Sequence, residues 1–288
     1  MTEAHENAPL RPPAPALDRS AYFQRIRFTG PADPSMATLE ELHRQHQASI
    51  PFENLDVLLG RPVRLDLESL QAKLVAGGRG GYCFEHNTLF AAVLRDLGFA
   101  VTTLEARVRP PGQNVLLGRT HGVLQVDLEG RSWLVDVGFG GDGILGPVLL
   151  PLDPGARILA PGDVAGQERH GARHRVAPEG RLRVLQAWSG QGWQDVYAIG
   201  PDPVHPVDWA VANHYTSTHP DSVFKRTLTV QDAAPGLRRA LRGRTYSENR
   251  GGAVQSRELR DGEILTLLAE GFGLRLPEGF QLQDGWTG

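Results

Sequence analysis

The sequence predicts an α+β protein laid out in three successive parts, and three observations carry that prediction. Apolar residues recur at three- and four-residue intervals through roughly the first hundred positions, then alternate in steps of two from Val101 onward. A proline cluster at Pro201, Pro203 and Pro206 closes that second stretch, and a smaller mixed unit follows it. With 288 residues and 40% hydrophobic side chains, the chain is long enough for one large domain or two to three small ones.

Residues 1–18, with Pro9, Pro12, Pro13 and Pro15 and little apolar periodicity, predict a tail outside the fold. Thr38-Leu39-Glu40-Glu41 reads as a capping box opening a helix that runs toward His46. Leu67, Leu70 and Leu74 form an apolar stripe with Asp66 as N-cap; Phe90, Val93, Leu94 and Leu97 form another, stopped at Gly98. Segments 101–109, 121–128, 132–138, 181–187 and 192–198 predict short strands, whose sheet closes or folds over as a small barrel or sandwich. Beyond the prolines, Phe224 to Val230 reads as a strand. Residues 261–272 read as a helix capped by Asp261, with Ile264, Leu267 and Leu268 inward. No internal repeat is present.

Composition removes several classes of function. Lys+Arg is 30 against 33 Asp+Glu, a formal net charge of −3, which argues against a nucleic-acid partner. Only Lys73 and Lys225 are lysines. No apolar run approaches the roughly 20 residues of a membrane span, and the N-terminus has neither a basic nor an apolar leader region, so no membrane partner and a cytoplasmic location are expected. Cys83 is the lone cysteine, which excludes an intrachain disulfide, a CxxC redox pair and a four-cysteine zinc site. The dispersed histidines offer no ligand spacing, so no metal is expected. Gly138-Phe139-Gly140-Gly141-Asp142-Gly143 satisfies GxGxxG, but Ile144-Leu145-Gly146-Pro147 starts no helix and no βαβ unit surrounds it; a nucleotide redox cofactor is therefore not expected. There is no Walker A motif either.

A single cysteine is either a small core hydrophobe or a nucleophile. Two glycine pairs, Gly77-Gly78 and Gly80-Gly81, precede Cys83 and an amphipathic helix follows, which places the thiol at or near a helix N-terminus. Unpaired N–H groups and the positive end of the dipole favour thiolate there, and could also hold an oxyanion. A nucleophilic cysteine needs an imidazole, and the imidazole an orienting acceptor. Glu129-Gly130 predicts a two-residue hairpin turn between 121–128 and the following strand. In that register Leu124 faces Val135 and Val126 faces Trp133, so Leu124, Val126, Trp133, Val135 and Val137 share an apolar face. His121 and Asp136 fall on the other face as diagonal neighbours, with Gly138 opposite the histidine.

Arg79-Gly80-Gly81-Tyr82-Cys83-Phe84-Glu85-His86-Asn87 resembles the active-cysteine signature of the arylamine N-acetyltransferases. Ile50-Pro51-Phe52-Glu53-Asn54-Leu55, Thr120-His121, Val135-Asp136-Val137-Gly138-Phe139-Gly140-Gly141 and Tyr215-Thr216-Ser217-Thr218-His219-Pro220-Asp221-Ser222-Val223-Phe224 are similar to the same family in the same order, so the resemblance spans about residues 20–275. It implies a helical bundle over 19–98, a β-barrel over 99–200 and an α/β lid over 201–288, around a cysteine-protease-like catalytic core. It also implies a Cys83–His121–Asp136 triad working by a ping-pong cycle, with acetyl-CoA as co-substrate and aromatic amines or hydrazines as acceptors. By motif position it implies aromatic walls at Phe52, Phe139 and Phe224, and Thr120, Gly138 and Gly140 near the bound coenzyme. Glu85 and Asn87 are expected to brace the loop, Arg79 to pair with a buried carboxylate, and His86 is given no role. Three alternatives remain open at this point: an amide synthase acting on carrier-bound chains, a cysteine peptidase or transglutaminase, and a non-enzymatic module with a buried cysteine. The preferred acyl donor, the amine and the oligomeric state also stay open.

Overall fold

The computed structural model describes residues 16–113, 115–151 and 166–286, and the tail expected at the N-terminus lies outside these as far as residue 15. Ala16–Asp18 do not belong to that tail. Gln71 donates to the Ala16 carbonyl (3.3 Å) and accepts from Asp18 N (2.6 Å), and Asp18 caps the first helix through Ala21 N.

The helical expectation for the first hundred residues holds, in five pieces: α1 (Arg19–Ile26), α2 (Met36–Ser49), α3 (Leu55–Leu58), α4 (Leu67–Leu70) and α5 (Cys83–Asp96). The start of α2 differs from the expected capping box. Pro34 disfavours helical backbone at Asp33, so Ser35 is the residue that caps, accepting from Thr38 N at 3.3 Å. Thr38 instead turns its hydroxyl to Asp33 (2.7 Å), and Glu41 is engaged by Arg44 (2.7 Å). Asp66 caps α4 through Ser69 N (2.9 Å) as expected, and α4 runs on as a π-turn over Gln71–Ala76. Leu70 and Leu74 are buried, as are Phe90, Val93 and Leu94 on α5, and Gly98 ends that helix at φ +89°.

Eight strands build a nearly closed antiparallel sheet: β2 (Ala100–Val108), β3 (His121–Leu128), β4 (Arg131–Val135), β5 (Val148–Leu149), β6 (Gln167–Arg169), β7 (Ala172–Glu179), β8 (Leu182–Trp188) and β9 (Trp193–Ile199). Their order is β5-β4-β3-β2-β9-β8-β7-β6, and Leu149 N donates to the Gln167 side chain (3.2 Å) across the gap between the two ends. Leu104, Val123, Leu134, Leu185 and Ile199 fill its interior. The β3–β4 hairpin has the expected register, Leu124 opposite Val135 and Val126 opposite Trp133, around a turn with Glu129 and Gly130 both at positive φ. Leu124, Val126, Val135 and Val137 bury against the helices. β4 stops at Val135, three residues short of the expected end, because side chains replace the ladder: Asn87 accepts from Val137 N (3.1 Å) and Asp136 from Gly138 N (3.0 Å).

The remainder contains α6 (Pro206–Thr218), which the proline cluster concealed, then β10 (Thr229–Ala234), β11 (Leu237–Arg242), β12 (Thr245–Arg250), β13 (Ala253–Glu258) and α7 (Asp261–Thr266). Phe224 to Val230 is not a strand. Val223–Lys225 is a 3₁₀ turn, held by Asn54, which donates to the Phe224 and Thr227 carbonyls (2.8 and 2.9 Å) and accepts from Thr229 N (2.8 Å); the strand begins only there. Asp261 is the first residue of α7 rather than its cap: the preceding Arg260 N donates to Glu263 (3.0 Å). Ile264 and Leu268 are buried as expected, against Leu228, Val230 and Leu241. A two-residue strand, β1 (Phe52–Glu53), joins the second sheet beside β10.

Candidate active site

The nucleophile loop is fixed before the nucleophile is reached. Gly80 passes so close to the preceding segment that a Cβ there would stand 1.9 Å from the Pro51 carbonyl oxygen, so no larger residue fits. Gly81 bridges Phe52, and Glu53 N donates to the Gly81 carbonyl (2.7 Å). Arg79 pairs with Glu53 (2.7 Å) and Asp56 (3.3 Å), as the sequence suggested. Lys73 lies between Asp56 and Glu85, 2.7 Å from each, and Glu85 accepts from Tyr82 N (3.1 Å). His86 proves to be structural. One ring nitrogen meets His46 (2.8 Å), and the other lies 3.0 and 3.2 Å from the Gly81 and Pro51 carbonyls.

Cys83 is the first residue of α5, 5% exposed. Its Sγ lies 3.8 Å from the Thr120 carbonyl oxygen, and its side chain is close enough to His121 to favour the charged ring. His121 Nε2 is 2.7 Å from Asp136 Oδ2, so Nδ1 is the ring nitrogen that bond leaves available. Both residues of that pair are buried. Gly138 closes the gap beneath the cysteine: a Cβ there would come within 2.8 Å of Cys83 Cα and 2.9 Å of its carbonyl oxygen.

Asp136 has every acceptor site in use. Oδ1 takes Asn87 Nδ2 (2.9 Å) and Gly138 N (3.0 Å); Oδ2 takes His121 Nε2 and the Tyr197 hydroxyl (2.9 Å). Four donors suit an ionised carboxylate and leave no place for a proton. Burial alone would push this carboxyl up, but the charge of His121 and the hydrogen bonds from His121, Asn87 and Gly138 hold it below its ordinary value. Burial likewise opposes the His121 imidazolium, yet Asp136 and the Cys83 side chain outweigh it and raise the histidine well above its ordinary value. The geometry thus favours a charged ring beside the sulfur.

The other residues singled out from sequence fall around this trio. Phe139 meets the His121 ring edge-on, centroids 5.1 Å apart. Phe224 packs against Phe52 and Tyr82, 5.8 Å from each. Thr120 offers its carbonyl to Cys83, whereas Gly140 lies further off beside Gln231, whose side chain accepts from Gly141 N (2.6 Å). Sequence reasoning missed Tyr197, which touches Asp136 and packs on both His121 and Phe139. It also missed the full reach of Asn87, which donates to the Gly122 carbonyl (2.7 Å) besides holding Asp136. Nothing in the β9 sequence marks its tyrosine out, but Asn87 sits one turn beyond Cys83 on the same helix and could have been found that way.

Among the described residues no group of three His, Cys, Asp or Glu side chains could hold a metal ion, and no described helix is long and apolar enough to cross a membrane. A cleft of about 670 Å³ lined by His170, Trp188 and Arg238 does not include Cys83.

Buried Cys83, His121 and Asp136 thus meet at a helix start on an α+β frame, and comparison with known proteins identifies the class as an acyltransferase. Residues 35–280 match the N-acetyltransferase family profile. The arylamine N-acetyltransferase of Escherichia coli K12 is 38% identical over 270 residues, covering 91% of this chain and 92% of that protein. The structure of the Mycobacterium tuberculosis arylamine N-acetyltransferase superposes with a TM-score of 0.82 at 38% identity, covering 90% of this chain and 94% of that one. The M. marinum arylamine N-acetyltransferase in complex with CoA gives 0.80 at 36%, covering 89% and 93%. The chain belongs to the arylamine N-acetyltransferase family.

Proposed function

We propose that this protein transfers the acetyl group of acetyl-CoA to aromatic amines and hydrazines through an acetyl-Cys83 intermediate. The observation that carries the reading is the Asp136 carboxylate saturated by four donors, one of them His121, with Cys83 at the adjoining helix start and packed against Gly138. The Cys83 thiolate attacks the thioester carbonyl, and the unpaired N–H groups at the start of α5 face the oxyanion that forms. The C–S bond to the coenzyme breaks, and its sulfur leaves as a thiol with the proton held by His121. The amine nitrogen then attacks the acetyl-cysteine carbonyl. His121 takes the amine proton, the C–S bond to Cys83 breaks, and the amide leaves with thiolate and imidazolium restored. Asp136 stays ionised throughout and keeps the ring oriented. Two half-reactions suit a weakly nucleophilic arylamine, because the acyl group is already activated when the amine arrives.

Phe139, Phe52 and Phe224, none of them fully enclosed, supply flat apolar walls for the arene. Thr120, Gly138 and Gly140 lie along the path we assign to the coenzyme arm, and a CoA complex of the M. marinum relative supports that donor. In this reading residues 19–98 carry the nucleophile, 99–200 the histidine and aspartate, and 201–288 act as a lid through the Asn54–Phe224 contact. Incubation with acetyl-CoA and no amine tests the proposal: intact-mass analysis is expected to show about 42 Da added on Cys83, discharged when an arylamine is supplied. An unmodified Cys83 with consumed thioester, or no reaction at all, refutes it.

A further inference from the structure

Three buried side chains behind the nucleophile loop form a hydrogen-bonded chain that the transfer chemistry described above does not use. The Tyr22 hydroxyl is 2.8 Å from His46 Nδ1, and His46 Nε2 is 2.8 Å from His86 Nδ1. His86 Nε2 lies 3.0 Å from the Gly81 carbonyl oxygen and 3.2 Å from that of Pro51. All three side chains are fully buried. Burial keeps both rings neutral, His86 with a pKa of about 4 and His46 well below its ordinary value. A neutral imidazole has one donor nitrogen and one acceptor nitrogen. His86 Nε2 meets carbonyl oxygens, so it carries the proton and Nδ1 accepts. His46 Nε2 must then donate, His46 Nδ1 accepts, and the Tyr22 hydroxyl donates. This one proton order satisfies every atom of the chain, and reversing either ring aims a lone pair at a lone pair.

The chain ends on the peptide that leads into the cysteine. The Gly81–Tyr82 peptide is held at both edges: its carbonyl accepts from Glu53 N (2.7 Å) and His86, and its N–H donates to Glu85 (3.1 Å). Only Tyr82, extended at φ −109° and ψ −173°, separates this plane from the Cys83 N–H, which opens α5 and has no intrahelical acceptor. His86 stands one turn along the same helix, so its side chain ties the helix start back to the loop before it. Of the three bonds on the peptide, the one from His86 alone depends on which nitrogen carries the proton.

We propose that Tyr22, His46 and His86 are positioning residues for acyl transfer: their fixed proton order holds the Gly81–Tyr82 peptide and through it aims the Cys83 N–H at the oxyanion of the attacked thioester. The inference rests on the acetyl-Cys83 reading above and adds to it residues that touch neither substrate nor the reacting atoms.

Two reactions of the same sulfur separate this role from general support of the fold. Acetylation by acetyl-CoA passes through an oxyanion, whereas alkylation by iodoacetamide displaces iodide at a saturated carbon and forms none. In single-turnover measurements on the full chain, His86→Leu is expected to slow Cys83 acetylation about 10- to 100-fold and to leave alkylation within about twofold of wild type. His86→Gln is expected to restore most of the acetylation rate, because an amide sets an acceptor and a donor across one carbon as the imidazole does. Tyr22→Phe keeps the ring and removes only the terminal donor; it is expected to slow acetylation about 2- to 10-fold with alkylation unchanged. Equal slowing of both reactions in the folded variants overturns the proposal, as does wild-type acetylation in Tyr22→Phe or a His86→Gln rate no better than that of His86→Leu. Should His86→Leu fail to fold, Tyr22→Phe and His86→Gln decide by the same criteria, a His86→Gln rate more than about tenfold below wild type counting against it. A wild-type protein that is alkylated but never acetylated refutes instead the transferase reading, and this inference with it.

Discussion

Four buried histidines make the fold sensitive to acid in a way that can be calculated. His43, His46 and His86 sit between α2 and α5, and His174 sits on β7; burial keeps all four neutral by pushing their pKa values down. His43, His86 and His174 fall to about 4, and His46 lies well below its ordinary value. Burial is the leading cause in each, and His46 additionally feels His86, His43 and Arg25. A folded-state pKa below the unfolded value near 6.5 means that the unfolded chain binds more protons in the window between, so stability falls as pH drops from about 6.5 toward 4. Each histidine contributes up to about 1.4 kcal/mol per pH unit, and four contribute about 5. Glu85 and Asp232, pushed up by burial, bind protons first in the folded state and act the other way, which brings the net slope to about 3–5 kcal/mol per unit. His121 adds nothing there, since its raised pKa keeps it charged in both states below about 6.5; its contribution is instead lost as pH rises above that. Against a total stability of about 5–15 kcal/mol, the protein is expected to unfold cooperatively before about pH 4. Urea unfolding at half-unit steps from about pH 7.5 to 5 measures the slope. Neither ring nitrogen of His43 makes a hydrogen bond of normal geometry, although the Asp136 carbonyl and Gln47 lie close, so His43→Leu is expected to reduce the slope by about 1.4 kcal/mol per unit. A wild-type slope no steeper than one histidine supplies, or no change in His43→Leu, would refute the reasoning.

Asp136→Asn is expected to keep the fold and lower kcat/KM for amine acetylation by about three to four orders of magnitude, because the ring loses its charged partner. Near wild-type turnover would disconnect Asp136 from the chemistry. Tyr197→Phe removes one of the four donors to Asp136, a charged hydrogen bond of about 1.5–3 kcal/mol, and so moves that carboxyl upward. The acid limb of kcat/KM for amine acetylation should move upward accordingly, and the thermal midpoint should fall by a few degrees. Gly138→Ala forces a methyl against Cys83 backbone and is expected to cost about 1–3 kcal/mol of stability together with most of the activity, read by urea unfolding and initial rates.

The juxtaposition of Cys83, His121 and Asp136 was legible because it rests on local rules. A glycine-rich approach to a helix start located Cys83, and a two-residue turn fixed the hairpin register that pairs His121 with Asp136. What escaped depends on distant partners. Phe224 looks strand-like in its own neighbourhood, and the side chain that holds its carbonyl in the turn, Asn54, lies 170 residues away. The helix Pro206–Thr218 leaves Val207 and Val211 exposed, which blurs the periodicity that should have announced it. β11 to β13 are rich in arginine, and β13 is exposed along its whole length, so neither strand alternation nor an apolar run betrays them. Tyr197 lies on β9, and no pattern within that strand says which face meets Asp136.

The Asn54 side chain ties the segment ahead of the cysteine loop to the last quarter of the chain. Phe52 and Glu53 pair with both Gly81 and β10, so the turn before Cys83 is hung between a neighbour about 30 residues away and a strand in the last quarter of the chain. A nascent or proteolytically clipped polypeptide that ends before Thr229 lacks that outer anchor, and the loop ahead of Cys83 is then held from one side only, while α5 keeps its own contacts with Gly122 and Asp136.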